Sequence, residues 1–289
     1  NSIYFELTNK CNLSCKHCYN ASAPANYTYF DPAELQRAFE NDAFESKITV
    51  TLSGGEPLVH PRLLEIIEII SHYDCRIALV TNGLLISKDI AFFLNKKEVE
   101  LQLSIDGPSR IHDFIRGYGN YSKLMQKINI LKEYYNINNA TTKAVLTKLI
   151  INNVAEHVTN MADIGFKSIS FGYLSYSGRS KDKFYVDYAP DNNDLITLDK
   201  EIEKAKNIYP DFVQLPFICY SCGLMNNRNE HDVKIDVNGN IYVCQGFTDV
   251  KYSIGNIKSD KITDCLNGEK YKNLMAYLKD RQTMINCND

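Results

Sequence analysis

Three cysteines, Cys11, Cys15 and Cys18, fall within "TNKCNLSCKHCYN" at the spacing C-x3-C-x2-C. Three thiolates can hold three corners of a four-iron cluster and leave one iron without a protein donor, whereas a purely electron-carrying cluster takes four cysteines. A structural zinc site also takes four ligands. His17 would have to be the fourth, and it sits between Cys15 and Cys18 on a loop whose thiols must converge, badly placed to reach the same metal. The spacing therefore favours a cluster with one open iron. A second chemical signal is "SGGEP", Ser53 to Pro57. Its paired glycines, Gly54 and Gly55, permit close backbone approach to a ligand, and Glu56 offers a carboxylate suited to an ammonium group.

The elements that must position these residues can be read from the alternation of the chain. From Ser2 to about Gly178, β-rich runs alternate with amphipathic ones. "SIYFELT" precedes "DPAELQRAFENDAF", with Asp31 as N-cap and Pro32 in the first turn. "KITVTL" leads into "HPRLLEIIEIISHY", where Leu63, Ile66, Ile67 and Ile70 recur at helical spacing. "RIALVT" precedes "SKDIAFFLNK", "VELQLSID" precedes "YSKLMQKINILKEYY", and "TTKAVLT" precedes "NVAEHVTNMADIG" with Gly165 as C-cap. "KSISFGYL" closes the series and "DNNDLITLDKEIEKAKN" reads as the sixth helix. Six strand–helix units predict an α/β fold: a parallel sheet with right-handed crossovers, forming a partial (β/α)6 barrel rather than a closed eightfold one. The polar motifs "TNKC", "SGGEP", "TNG" and "SIDGP" each follow a predicted strand, at the carboxyl end where such sheets carry their chemistry. The barrel is expected over residues 1–210. A small extension follows over 211–289, with a type I′ hairpin around Asn238-Gly239 and a helix in "NGEKYKNLMAYLKDRQ".

Composition bounds the partners. The 289 residues are 44% hydrophobic and 23% charged with a formal net charge of −3, an ordinary globular balance with no basic bias toward nucleic acid. The run "LLEIIEII" is too short and too acidic to span a bilayer, and no signal-peptide pattern opens the chain. Nine cysteines, an odd number, in a protein large enough to build its own core point to metal chemistry in the cytoplasm rather than to a disulfide framework. With no initiator Met and an end at "NCND", the native protein is expected to extend beyond both termini.

"CNLSCKHCY", including Tyr19 directly after the third cysteine, resembles the signature of the radical S-adenosylmethionine (radical SAM) enzymes. The resemblance implies that Cys11, Cys15 and Cys18 hold a 4Fe–4S cluster whose open iron is chelated by SAM. Reductive cleavage of SAM then yields a 5′-deoxyadenosyl radical that abstracts hydrogen from substrate. "SGGEP" resembles the family segment that meets the SAM amino group. "LSIDGP" makes Ser104 and Asp106 candidates for ribose or carboxylate contacts, and "HDFIRG" makes Arg116 a candidate partner for an anion. "TNG", Thr81 to Gly83, fits the third strand end, and "KLIINNVAEH" brings Asn152 or Asn153 toward the cofactor.

The later cysteines resemble the SPASM/twitch extension of peptide-modifying radical SAM enzymes, which carries auxiliary 4Fe–4S clusters. That likeness assigns Cys222, Cys244 and Cys287 as ligands of one or two such clusters. Cys219 is either a further ligand or, as in epimerising relatives, a hydrogen donor. The remaining cysteines of the pattern would follow Cys287, so the extension reads as truncated. Cys75 and Cys265 read as packing cysteines. The family likeness implies a maturase acting on a ribosomally made peptide or a protein, with thioether or carbon–carbon crosslinking favoured over epimerisation, and a flavodoxin or ferredoxin as electron donor. Sulfatase-maturing members carry Asp after the cysteine matching Cys244, where this chain has Gln245. A small-molecule or cofactor-precursor substrate is the alternative, and a non-enzymatic iron–sulfur protein a remote one.

Overall fold

The computed structural model describes residues 2–25, 27–42, 48–181, 183–214 and 232–280. In chain order the first elements are β1 (Ser2–Glu6), α1 (Pro32–Asn41), β2 (Ile48–Ser53), α2 (Leu63–Ile70), β3 (Cys75–Thr81), α3 (Lys88–Lys96), β4 (Glu100–Ser104), α4 (Ser109–Arg116), α5 (Asn120–Tyr134) and β5 (Ala140–Leu146). They continue with α6 (Val154–Ile164), β6 (Ser168–Tyr173), α7 (Lys183–Tyr188), α8 (Asn192–Ile208), β7 (Val213–Gln214), β8 (Asp232–Ile235), β9 (Asn240–Tyr242), β10 (Gly255–Asn256), α9 (Ile262–Asn267) and α10 (Glu269–Asp280). The chain packs as two compact units, one of residues 1–12, 22–78 and 217–289, the other of 13–21 and 79–216.

In the first unit the strand order is β10-β9-β8-β1-β2. β1 pairs in parallel with β2 on one side and with β8 on the other. α1 forms as the sequence predicts: Asp31 accepts from the Ala33 N–H at 3.1 Å, Pro32 opens the helix, and Leu35, Ala38 and Phe39 are buried. α2 buries Leu63, Ile66, Ile67 and Ile70. Phe5 of β1 packs between Phe30 and Phe39, with ring centroids 5.7 and 6.3 Å away.

The C-terminal segment shares this unit with the N-terminal strands. Asp42, just past α1, explains part of the attachment. Its carboxylate accepts from the Ile262 and Thr263 N–H groups at 2.8 and 3.1 Å and from the Thr263 hydroxyl at 2.8 Å, capping α9. The hairpin between β8 and β9 is not the expected type I′ turn, which needs positive φ at both central residues. Among the described residues only Gly239 of that turn is left-handed, at φ 87°. Gly239 N–H donates to Asp236 O at 2.9 Å, and the Asp236 carboxylate accepts from the Asn238 and Asn240 N–H groups, making a longer loop closed by one glycine.

In the second unit the order is β4-β5-β6-β7, all parallel. α6 ends on Gly165 at φ 101°, as predicted. α4 was not foreseen as a separate helix. Gly117, at φ 105°, ends it, and the Asp113 carboxylate turns back to accept from the Gly119 and Tyr121 N–H groups at 2.8 Å, starting α5.

Parallel sheets covered on both faces read as continuous apolar runs. These strands alternate instead. On β5, Ala140, Thr142, Ala144 and Leu146 are buried while Thr141, Lys143 and Val145 are half-buried; on β4, Leu101 and Leu103 are buried and Gln102 and Ser104 are not. Leu103 and Leu124 of α5 both crowd Gly83, so the apolar face of β4 lies under α5. The opposite face is polar. β1 and β2 repeat the pattern, with Tyr4 donating to Ser53 Oγ at 2.5 Å. Among the described residues no helix is long and apolar enough to cross a membrane.

Candidate functional site

In the first unit the segment after β1 meets the segment after β2. Gly55 N–H donates to Thr8 O at 2.5 Å and Glu56 N–H to Lys10 O at 2.9 Å. A Cβ on Gly54 would fall well inside van der Waals contact with Thr8 O, and one on Gly55 would do the same with Lys10 O. Gly54 also sits at φ 127°, a conformation that side chains avoid. The close approach that the two glycines permit is thus an approach to the segment leading into Cys11. Cys11 is buried, and its N–H donates to Ala23 O at 3.1 Å. Glu56 is buried, with Oε1 accepting from Leu58 N–H at 3.1 Å to start the turn Pro57–Val59.

In the second unit Cys15 and Cys18 lie on a loop braced from three sides. Lys16 N–H donates to Ile115 O of α4 at 3.0 Å, and Cys18 N–H to Cys15 O at 3.3 Å. His17 Nε2 donates to Asp106 Oδ2 at 2.8 Å. The same oxygen accepts from Arg116 Nε at 2.6 Å, and Asp106 Oδ1 accepts from Val145 N–H at 3.0 Å. Asp106 is fully buried. Burial opposes its ionisation, yet Arg116 and then His17 outweigh that and hold its carboxyl well below the usual carboxylate range. The third brace follows β6. Arg179 N–H donates to Cys18 O at 2.9 Å and its Nε to Cys15 O at 2.8 Å. Gly178, at φ 59°, lies so close to the Cys18 and Tyr19 carbonyls that no Cβ fits.

Asp106 and Arg116, picked as ligand contacts from their place after β4, meet each other and His17, with both Asp106 oxygens occupied by protein donors. Ser104 and Tyr19 are half-buried. Asn152 is exposed, and Asn153 is half-buried with its amide 3.5 Å from Leu149 O. Thr81 accepts from Gly83 N–H at 3.0 Å, turning the chain after β3. Sequence reasoning missed Gly178 and Arg179. The signal was available, since "SGRS" follows a predicted strand just as "SGGEP" does.

Three cysteine thiols are, by donor chemistry, the kind of set that an iron–sulfur cluster takes. Burial pushes the Cys15 thiol up, with Arg116 opposing, so this thiol is not a reactive thiolate by itself; a metal would deprotonate it outright. Cys18 is half-buried, on the more open side of the loop. Among the described residues no three His, Cys, Asp or Glu side chains close on one ion. In the C-terminal segment Cys244 is half-buried, and its Sγ accepts from Gly246 N–H at 3.4 Å, the kind of bond that tunes a cluster thiolate. Buried Lys234 braces that turn: its amine donates to Phe247 O, lies 3.8 Å from Glu6 and 4.7 Å from the Tyr242 ring. Cys219, Cys222 and Cys287 lie outside the described residues. Cys265 is buried against Gly255 and Cys75 bonds Ile70 O at 3.5 Å; burial first, with nearby carboxylates adding, pushes both thiols up to about 11.

Residues 5–163 match the Radical SAM superfamily, and residues 222–289 match SPASM, an iron–sulfur cluster-binding domain. The chain is 26% identical over 276 residues to the antilisterial bacteriocin subtilosin biosynthesis protein AlbA of Bacillus subtilis, covering 91% of this chain and 58% of that protein. It is 26% identical over 272 residues to mycofactocin maturase MftC of Mycobacterium tuberculosis, covering 89% and 68%. An AdoMet-dependent heme synthase of Methanosarcina barkeri is 34% identical over 156 residues, covering 51% of this chain and 44% of that protein. The fold matches native anSMEcpe with bound AdoMet at a TM-score of 0.76 and 20% identity, over 94% of this chain and 82% of that one. Streptococcus suis SuiB bound to precursor peptide SuiA matches at 0.74 and 16%, over 95% and 66%. The α/β partial barrel with a C-terminal extension, expected from the sequence, is the fold these structures share. The SPASM region brings the capacity for auxiliary iron–sulfur clusters, and the N-terminal region that for a 4Fe–4S cluster and S-adenosylmethionine. The chain belongs to the radical SAM superfamily and is one of its SPASM-bearing enzymes.

Proposed function

We propose that this chain is a cytoplasmic maturase that modifies a ribosomally synthesised peptide, with a thioether or carbon–carbon crosslink as the favoured product and epimerisation the next. The observation that carries the reading is similarity to two biosynthetic proteins, AlbA and MftC, over about nine-tenths of this chain. The heme synthase match supports the alternative small-molecule substrate, but it stops at about half of the chain.

In this reading Cys11, Cys15 and Cys18 hold the cluster that, with SAM bound, supplies a 5′-deoxyadenosyl radical. Gly54, Gly55 and Glu56 receive the amino end of SAM, while Ser104, Asn153 and Tyr19 contact the rest of it. Asp106, Arg116 and Arg179 hold the cysteine loop rigid, so that the thiolates do not have to be ordered when the cluster binds. Cys222 and Cys244, with Cys287 and either Cys219 or a further donor, hold the auxiliary cluster. A flavodoxin or ferredoxin supplies electrons.

The test is anaerobic reconstitution followed by dithionite, SAM and the precursor peptide encoded beside the gene. Crosslinking predicts 5′-deoxyadenosine release and a peptide lighter by a pair of hydrogens; an unchanged mass with altered stereochemistry identifies epimerisation. An unmodified peptide alongside a modified tetrapyrrole or other small molecule would replace the peptide reading with its alternative. Cys15→Ala should abolish SAM cleavage. Cys244→Ala should stop peptide modification while cleavage stays measurable.

A further inference from the structure

Lys234 of β8 is the one lysine or arginine buried among the described residues, at 1% exposure. It stands in the first unit, opposite Tyr4 of β1 and Tyr242 of β9 in the strand registers. Its ammonium lies 4.7 Å from the centre of the Tyr242 ring and 3.8 Å from Glu6 Oε1, and it donates to the main-chain oxygen of Phe247. Glu6 is buried as well. A buried ammonium is destabilising unless it is paired and hydrogen-bonded, and here a carboxylate, a ring face and a carbonyl meet it.

The carbonyl is the informative partner. Phe247 closes the turn that begins at Cys244. Its N–H donates to Cys244 O at 3.3 Å, and within the turn Gly246 N–H donates to Cys244 Sγ at 3.4 Å. The Phe247 ring stacks on Tyr252 with centroids 4.9 Å apart, so ring and carbonyl are both held. An apolar residue of similar volume would fill the space under β8 without the desolvation penalty of a charge. What the lysine adds is direction. With the Phe247 carbonyl tied to the sheet, the Cys244–Phe247 turn keeps its shape and Gly246 N–H stays aimed at the sulfur.

We propose that Lys234 is the positioning residue for Cys244: it holds the turn so that the thiolate carries its N–H bond, and thereby sets the retention and the reduction potential of an auxiliary iron–sulfur cluster. The inference rests on the reading of Cys244 as a ligand of that cluster. Glu6 is the counter-charge, which serves the fold rather than the turn. Hydrogen bonds to sulfur and nearby positive charge both favour the electron-rich state of a cluster, so loss of either drives its potential down.

The test uses reconstituted protein in which Cys11, Cys15 and Cys18 are replaced by Ala, so that the remaining iron reports the C-terminal segment alone. Two quantities are read: the rate of iron release to a chelator, and the midpoint potential from a dithionite titration of the visible absorbance. Lys234→Met should release iron roughly 10- to 100-fold faster, the factor carried by one hydrogen bond from a charged group, and shift the potential negative. Adding Glu6→Gln to Lys234→Met removes the stranded carboxylate. This double variant should recover urea stability toward the parent while iron release stays fast and the potential stays low. If iron release and potential recover together with stability, Lys234 is merely structural and the proposal is overturned. A Lys234→Met protein that matches the parent in both quantities overturns it too. Cys244→Ala in the same background separates the two readings. Iron lost there, beside a parent-like Lys234→Met, defeats only the positioning role; iron fully retained there defeats the ligand reading and the positioning role with it.

Discussion

Replacing Asp106 by Asn removes one charge and almost no volume from a carboxylate that is fully buried between Arg116 and His17, whose side chains are 10% and 7% exposed. At 2.6 Å from Arg116 Nε, and with an effective dielectric constant of about 20, the bare attraction is roughly 6 kcal/mol. Desolvation of the partners offsets part of it, and breaking a buried pair from one side costs about 3–5 kcal/mol because the other charge stays behind. Against a native stability of roughly 5–15 kcal/mol that is a large fraction. Urea unfolding of cluster-free and reconstituted protein should show a midpoint lowered in both, with the slope unchanged. Asp106→Asn should also retain less iron, because His17 lies between two of the cysteines. Arg116→Met in the same chain should recover part of the loss, since it removes the stranded cation. A single variant within about 1 kcal/mol of the parent, holding its full iron complement, would show that the loop does not depend on this carboxylate.

His112 and His157 are both buried, and burial lowers each pKa from 6.5 to about 4. Above pH 6.5 their contribution to stability is complete. As pH falls below that, the unfolded chain takes up protons that the fold rejects, so stability declines by about 1.4 kcal/mol per pH unit for each histidine until near pH 4; His112→Gln and His157→Gln should flatten the acid limb of a denaturation-versus-pH series. Arg179→Ala removes the Nε bond to Cys15 O and leaves the one from its backbone N–H to Cys18 O, and should speed cluster loss to a chelator, followed by the decay of visible absorbance, while Arg179→Lys restores little of the directed Nε contact. Asp42→Ala removes the cap of α9 and should cost about 1–2 kcal/mol, read as faster amide exchange in residues 262–267 with the barrel strands unaffected.

The cysteine motif and "SGGEP" stood out by residue type and spacing, and the family they resemble is the one that residues 5–163 match. The helices were legible where caps and period agree, as in Asp31-Pro32 and in the Leu63 to Ile70 stripe. Asp106 and Arg116 were noticed for their position after β4, but Asp106 meets a histidine 89 residues earlier, and no local pattern encodes that pairing. The C-terminal hairpin was visible, whereas its parallel alignment with β1 was not, because strand pairing at such separation is decided by the whole sheet. The polar alternation of "ITVTLS", "ELQLS" and "TTKAVL" could have been read from the sequence as a sheet with one face turned toward a ligand.

The position of β1 between β2 and β8 has a consequence for how the polypeptide emerges from the ribosome. Its second neighbour is not synthesised until residues 232–235 appear, so until then β1 presents an unsatisfied edge on the side that β8 later occupies. Growing chains of this protein should therefore depend on chaperones for longer than the order of their helices suggests. Internal stops placed before residue 232 should yield aggregates rather than soluble half-barrels.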